Sequence, residues 1–178
     1  AASVKEEDLI QNLYVLSSHV QILCFTTKGK VFWLKVYEIP VASRTSKGRP
    51  LVNMLNLDDD ERVSEILPVE EFSDDKFIFM ATRKGITKKT NLSLFARKWK
   101  SGIKAINLDE DDRLVGTAIT DGKKEILLAS SAGKLIRFNE TKVRAMGRTA
   151  RGVKGMKLKK DQRLISLNVA DPEKTVLC

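Results

Sequence analysis

FIFMATRKGITKKT (77–90) decides how this chain is read. An apolar run is broken by Arg83-Lys84-Gly85 and then resumes, which is the signal of a β-hairpin. Glycine sits where the turn needs a positive φ, a conformation only glycine takes cheaply. The same pattern occurs at LYVLSSHVQILCFTT (13–27), where Lys28-Gly29-Lys30 leads into VFWLKVYEI (31–39). It occurs a third time at EILLASSAGKLIRFN (125–139), around Gly133.

Each hairpin is followed by a basic, glycine-bearing loop: SRTSKGRP (43–50), ARKWKSGIK (96–104) and GRTARGVKG (147–155), with Gly48, Gly102 and Gly152 as anchors. Next come a short apolar run, at LVNMLNL (51–57), IKAINL (103–108) and VKGMKL (153–158), and an acidic turn, at DDDERV (58–63), DEDDRL (109–114) and KKDQRL (158–163). A last strand closes the unit, at VSEILPV (63–69), LVGTAI (114–119) and LISLNV (164–169). Arg62, Arg113 and Arg163 lie 51 and 50 residues apart. A fixed period of this length, with about four strands in it, is the size of a propeller blade. The expected fold is all-β, a propeller-like partial array of four-stranded blades. Helical periodicity is weak, with one helix-compatible stretch around 86–98.

Residues 1–178 read as a single region. Residues 12–75, 76–124 and 125–174 are expected to be three complete repeats. KEEDLI (5–10) aligns with the end of a preceding blade, assigned to 1–11, and TVLC (175–178) with the start of a further one. The expectation is therefore a piece of a longer array, whose cut sheet edges invite association.

The net charge is +9, which suits a polyanionic partner, although a soluble basic protein needs no such partner. The distribution favours the first reading. Residues 83–104 hold Arg83, Lys84, Lys88, Lys89, Arg97, Lys98, Lys100 and Lys104 with no acid, and 142–160 are equally one-signed, whereas 58–75 hold nine acids against Arg62 alone. No run of eighteen apolar residues is present, so no membrane span is expected. Cys24 and Cys178 form neither a disulfide framework nor a metal spacing, which fits a reducing cytoplasm.

Enzyme signatures are absent: there is no GxSxG elbow, P-loop, HExxH or paired-cysteine motif. His19, the one histidine, reads as a half-buried strand residue, and neither Tyr14 nor Tyr37 has the surroundings of a nucleophile. Asp58, Asp59, Asp60 and Glu61 could suggest a hard-cation site, but the third repeat has KKDQ there, so a solvated turn is the simpler reading. No catalytic, metal or cofactor residue is assigned. The basic loops are the functional candidates, because Arg and Lys attract phosphate and glycine lets backbone N–H groups approach it. The candidate DNA-contacting residues are Arg44, Lys47, Arg49, Arg97, Lys98, Lys100, Lys104, Arg148, Arg151 and Lys154. Lys47-Gly48-Arg49-Pro50 resembles an AT-hook core, but it lies inside a folded repeat. Trp99 is open to stacking on a base or packing at a blade edge, and Trp33 reads as core or inter-blade packing.

With these loops in place, the chain resembles the C-terminal domain of the A subunit of bacterial DNA gyrase. The segments that carry the resemblance are VKEEDLI (4–10), ILCFTTKGKVFWLKVYEIP (22–40), KGRPLVNMLNLDDDERVSEILPV (47–69), FMATRKGITKKT (79–90) and VRAMGRTARGVKG (143–155). The resemblance implies a β-pinwheel, a propeller-like disc whose blades exchange strands, with duplex DNA wrapped on its basic rim to allow negative supercoiling. It implies the A and B subunits of gyrase as partners and a bacterial, cytoplasmic, nucleoid-associated setting. ATP hydrolysis, magnesium and cleavage by tyrosine would belong to other domains. The family's QRRGGKG-type box does not occur. Arg148 to Gly155 resembles a degenerate copy, and the box-bearing blade is expected upstream. The corresponding domain of topoisomerase IV shares the fold with more divergent repeats. Two other classes stay open: a propeller scaffold for an acidic protein, and an RNA-binding β domain. The latter needs exposed stacking aromatics, and aromatic residues make up only 6% of this chain.

Overall fold

The computed structural model describes residues 12–43, 46 and 48–171. Arg44, Lys47 and the terminal segments read as parts of neighbouring blades lie outside the described residues. In chain order the strands are β1 (Gln21–Thr26), β2 (Lys30–Lys35), β3 (Val63–Val69), β4 (Phe77–Thr82), β5 (Ile86–Asn91), β6 (Ile103–Lys104), β7 (Leu114–Thr120), β8 (Glu125–Ser130), β9 (Leu135–Asn139), β10 (Val153–Lys154) and β11 (Leu164–Ala170). Every pairing between them is antiparallel.

The three hairpins share one turn chemistry. The N–H groups of Gly29, Gly85 and Gly133 donate to the carbonyls of Thr26, Thr82 and Ser130, three residues back. The hydroxyls of the same three residues accept from the N–H groups of Lys30, Ile86 and Lys134. Each glycine has a positive φ, between 69° and 81°, as the sequence reading requires. After each hairpin the chain makes one 3₁₀ turn, at Val36–Glu38, Leu92–Phe95 and Glu140–Lys142.

Strand order shows how the repeats are joined. The sheets run β3-β1-β2-β6, β10-β5-β4-β7 and β11-β8-β9. The outermost strand of the first sheet therefore comes from the second repeat, and that of the second sheet from the third repeat. β6 pairs with β2 through Lys30↔Lys104 and Val31↔Ile103, and β10 pairs with β5 through Val153↔Thr87 and Lys154↔Ile86. The donation is locked at the hairpin tips. The Gly29 carbonyl accepts from the Ala105 and Ile106 N–H groups, and the Gly85 carbonyl from those of Gly155 and Met156.

The sheets stack face to face. Leu23, Phe25, Val31 and Val69 of the first pack on Ile78, Met80, Leu92, Phe95, Ile106 and Leu114 of the second repeat. The opposite face of β4, through Phe79 and Ala81, packs on Ile126, Leu128, Val143, Met156 and Leu164. Trp33 joins this scheme as inter-blade packing: it borders the first cluster and its indole N–H donates to the Phe95 carbonyl at 2.8 Å. The inner strands pack closely too. A Cβ on Gly116 of β7 would lie 3.1 Å from the Leu167 Cβ of β11, so the missing side chain allows the approach.

Several sequence expectations are corrected. Residues 13–20 form no strand; β1 starts at Gln21, and His19 lies in an exposed turn. The apolar run 51–57 contains a 3₁₀ turn at Leu51–Asn53 where the later repeats have their donated strand. The helix-compatible stretch 86–98 is β5 followed by a 3₁₀ turn. The acidic turn of the first repeat is not simply solvated. Glu61 is buried, accepts the Thr26 hydroxyl and pairs with the Lys30 ammonium at 3.3 Å, while Asp58 pairs with Lys30 at 3.0 Å.

The largest correction concerns Lys88 and Lys89, which count toward the basic run in the sequence but are buried between blades. The Lys89 ammonium donates to the Glu140 carbonyl at 3.0 Å. Glu140, fully buried, accepts from the Thr120 hydroxyl and the Lys124 N–H, each at 2.8 Å. The Lys88 amine donates to the Ala105 carbonyl at 2.6 Å and to the Arg148 carbonyl. Burial first, and the Arg148 guanidinium second, pull its pKa down to about 7. A neutral amine retains two N–H groups, enough for both carbonyls. The folded state therefore holds this proton less tightly than the unfolded chain, whose lysine titrates near 10.4. Stability should rise with pH from about 7 toward 10, with a slope of at most about 1.4 kcal/mol per pH unit. Urea unfolding of wild type and Lys88→Met across that range checks this; parallel pH profiles would refute the assignment.

Candidate nucleic-acid interface

Because β6 and β10 are the outermost strands, the basic loops that lead into them run along the outer edges of the sheets. Residues 97–104 descend beside β2, and residues 147–154 beside β5. Local chemistry holds the loops down. Gly102 has φ 69°, and a Cβ there would come within 2.7 Å of the Phe32 ring. Gly152 has φ 100°, and a Cβ there would lie 2.5 Å from the Thr87 carbonyl. The Met146 N–H donates to the Lys89 carbonyl.

The chain just past the second loop touches the third. The Asn107 N–H donates to the Ala150 carbonyl at 3.3 Å. The Lys88 amine ties Ala105, just past the second loop, to Arg148 in the third. Lys104 and Lys154 occupy corresponding, exposed positions on the donated strands. Two-residue edge strands that carry lysine also discourage edge-to-edge pairing.

The candidate residues are placed as follows. Arg49 is exposed beside a cleft with Pro40 and Met54. Arg97 stacks over the Trp99 indole, 4.5 Å from its centroid, and Trp99 is 43% exposed at the blade edge. Lys98 and Lys100 are exposed, and the Lys104 ammonium donates to Asn107 Oδ1 at 3.4 Å. Arg148 is half-buried. Arg151 is exposed and forms an ion pair with Asp109, so the acidic turn of the second repeat abuts the basic loop of the third. Arg44 and Lys47 lie outside the described residues. Sequence reasoning does not single out Lys35 at the end of β2, which lines the same cleft as Lys98. Only the backward course of the second loop brings the two together. Among the described residues no group of three or more His, Cys, Asp or Glu is placed to hold a metal, and no helix is long and apolar enough to cross a membrane.

Stacked antiparallel sheets, joined by exchanged outer strands and edged with basic loops, define a β-propeller of the pinwheel type. The model of the DNA gyrase C-terminal domain, a beta-propeller, matches residues 21–70, 76–121 and 124–171, and the chain belongs to that family. It is 53% identical over 146 residues to the DNA gyrase A subunit of Aeromonas salmonicida, a match that covers 82% of this chain and 16% of that protein. It is 52% identical over 153 residues to the DNA gyrase A subunit of Haemophilus influenzae, covering 86% of this chain and 17% of that one. The chain thus spans under a fifth of the length of these relatives. Among solved structures, the C-terminal domain of DNA topoisomerase IV superposes with a TM-score of 0.88 at 29% identity, covering 97% of this chain and 54% of that one. A DNA gyrase A C-terminal domain superposes with a TM-score of 0.70, covering 86% of this chain and 49% of that one. At 24% identity that second likeness concerns the fold alone.

Proposed function

We propose that this chain binds and bends duplex DNA around its basic outer edge, without sequence specificity, as the accessory domain of DNA gyrase. In this reading it works within the A subunit, beside the B subunit, in the bacterial cytoplasm, and enables negative supercoiling. Catalysis, ATP and magnesium belong to other parts of that enzyme. The observation that carries the reading is the contact between the end of the second basic loop and the third, on the outer edges of adjacent blades. A basic edge that runs on from one blade to the next is what a bent phosphate backbone needs.

The physics sets the scale. Bending 20–30 bp by 40–90° costs on the order of 1–6 kcal/mol. Phosphate neutralisation offsets this through counterion release, with a slope of about −0.9 in log K against log salt for each contact. Three loops engaging about two phosphates each give a slope of roughly −5. No bidentate base reader is evident in the loop sequences, so preference should follow bendability. Binding to a 40-bp duplex of mixed sequence across a salt series tests this. Sequence-tolerant binding with a steep negative slope is expected; no binding at low salt would overturn it. The superposition on a topoisomerase IV domain favours a second reading, the equivalent domain of that enzyme. Sequence identity above 50% to two gyrase A subunits favours gyrase.

A further inference from the structure

The cleft at the first inter-blade joint sets Lys35, which lies outside the basic loops, beside Lys98 and Lys100 of the second loop. A cavity of about 530 Å³ opens between β2 and the second basic loop, walled by Phe32, Trp33 and Leu34 on the blade side and by Met54 and Leu55 below. Lys35, Lys98 and Lys100 reach into its lining, together with Trp99. We propose that this cleft is a phosphate-oxyanion site, in which the ammonium groups of Lys35 and Lys98 act as a pair, Lys100 guards the rim and the Trp99 ring forms the wall. The inference rests on the proposed function only in naming the DNA backbone as the expected source of the phosphate.

Three observations support it. First, the charge is lopsided: among the described residues that line the cleft, Glu38 is the one acid against three lysines. One Glu38 oxygen already accepts the Lys35 N–H at 2.9 Å. Second, Lys35 and Lys98 line the same cleft from opposite elements, β2 and the second loop, and Tyr37 beside Lys35 raises the pKa of that lysine. The Lys35 ammonium lies 4.9 Å from the centroid of the Tyr37 ring, and burial followed by the Lys35 charge lowers the pKa of Lys98. Two like charges in one cleft repel one another, and an anion between them relieves that repulsion. Third, the arrangement is particular to this joint. At the next joint the residue corresponding to Phe32 is Lys88, whose amine binds the Arg148 carbonyl and draws the loop onto the blade. Lys35 corresponds there to Asn91, so the lysine pair is not repeated.

The cleft supplies its own reporter. The chain has two tryptophans, and Trp33→Phe leaves Trp99 as the sole emitter. Inorganic phosphate titrated into that variant should change the emission saturably. Lys35→Gln and Lys98→Gln should each weaken the response at least about fivefold, while Lys35→Arg restores it. Thermal melts by circular dichroism confirm that the variants fold. Lys123→Gln, on the β7–β8 turn, serves as a control for total charge. A linear, unsaturable response, or equal losses in Lys123→Gln and Lys35→Gln, would overturn the site. The duplex salt series then assigns the source. A Lys35→Gln slope shallower by about 0.9 places a backbone phosphate in the cleft. A saturable phosphate response with an unchanged slope upholds the site with free phosphate as its ligand. If wild type binds no duplex, the proposed function fails while the phosphate titration still judges the cleft.

Discussion

Replacing Gly85 by valine should destabilise the fold by about 4–5 kcal/mol, close to the whole stability of a marginal domain. Two costs combine. Gly85 has φ 81°, where a β-branched residue is a true outlier, at about 1–3 kcal/mol. A Cβ there would also lie 2.6 Å from the Met156 carbonyl oxygen, and backbone cannot swing aside as a long side chain can. Moving the hairpin tip would break the bonds by which the Gly85 carbonyl holds the Gly155 and Met156 N–H groups. The strand donated by the third repeat would then lose its anchor. Gly133 provides the control: its φ is 69°, but nothing lies within 4 Å of a Cβ there. Gly133→Ala should cost only about 1–2 kcal/mol. Urea midpoints should differ by roughly 1–2 M between the two variants; equal midpoints would mean that the tip contact does not hold the blades together.

Reversing Arg97, Lys98 and Lys100 to glutamate together should lower duplex affinity by about a hundredfold or more at moderate salt. The salt slope should become shallower by roughly 2, since the loop engages about two phosphates and each lost contact removes about 0.9. All three side chains are exposed on the loop that edges the first blade, so the fold should survive. Loss of affinity should be uniform across sequences, because backbone contacts position the duplex without reading it. Fluorescence anisotropy with several duplexes is the measurement. Unchanged affinity would remove the outer edge as the binding surface.

Much of the fold was legible because its punctuation is local. Gly29, Gly85 and Gly133 sit in turns whose bonds span three or four residues, and such turns declare themselves in a short window. The inter-blade role of Trp33 followed from its place in an apolar run. What stayed hidden depends on distant chain. The donated strands are two residues long, and their partners lie far back in sequence, as with Lys30 and Lys104. No periodicity can announce so short an element. β5, with sequence ITKKTN, has no apolar alternation, yet its four central residues are buried on both faces. Lys88 can be buried there because the Ala105 and Arg148 carbonyls, from two later segments, receive its amine. Glu61 is similar: its burial depends on Thr26 and Lys30, more than thirty residues away. The basic loops were visible as composition, but the cleft that Lys35 shares with Lys98 required the backward course of the chain.

The direction of strand donation also orders events during synthesis on the ribosome. Val31 of β2 waits for Ile103, a little over seventy residues later in translation. At about 5–20 residues per second, that leaves an open sheet edge for roughly 4–15 s. Each blade is finished by its successor, so the nascent chain always trails one unfinished blade. Neighbouring nascent chains on one messenger would then be the competitors for that edge.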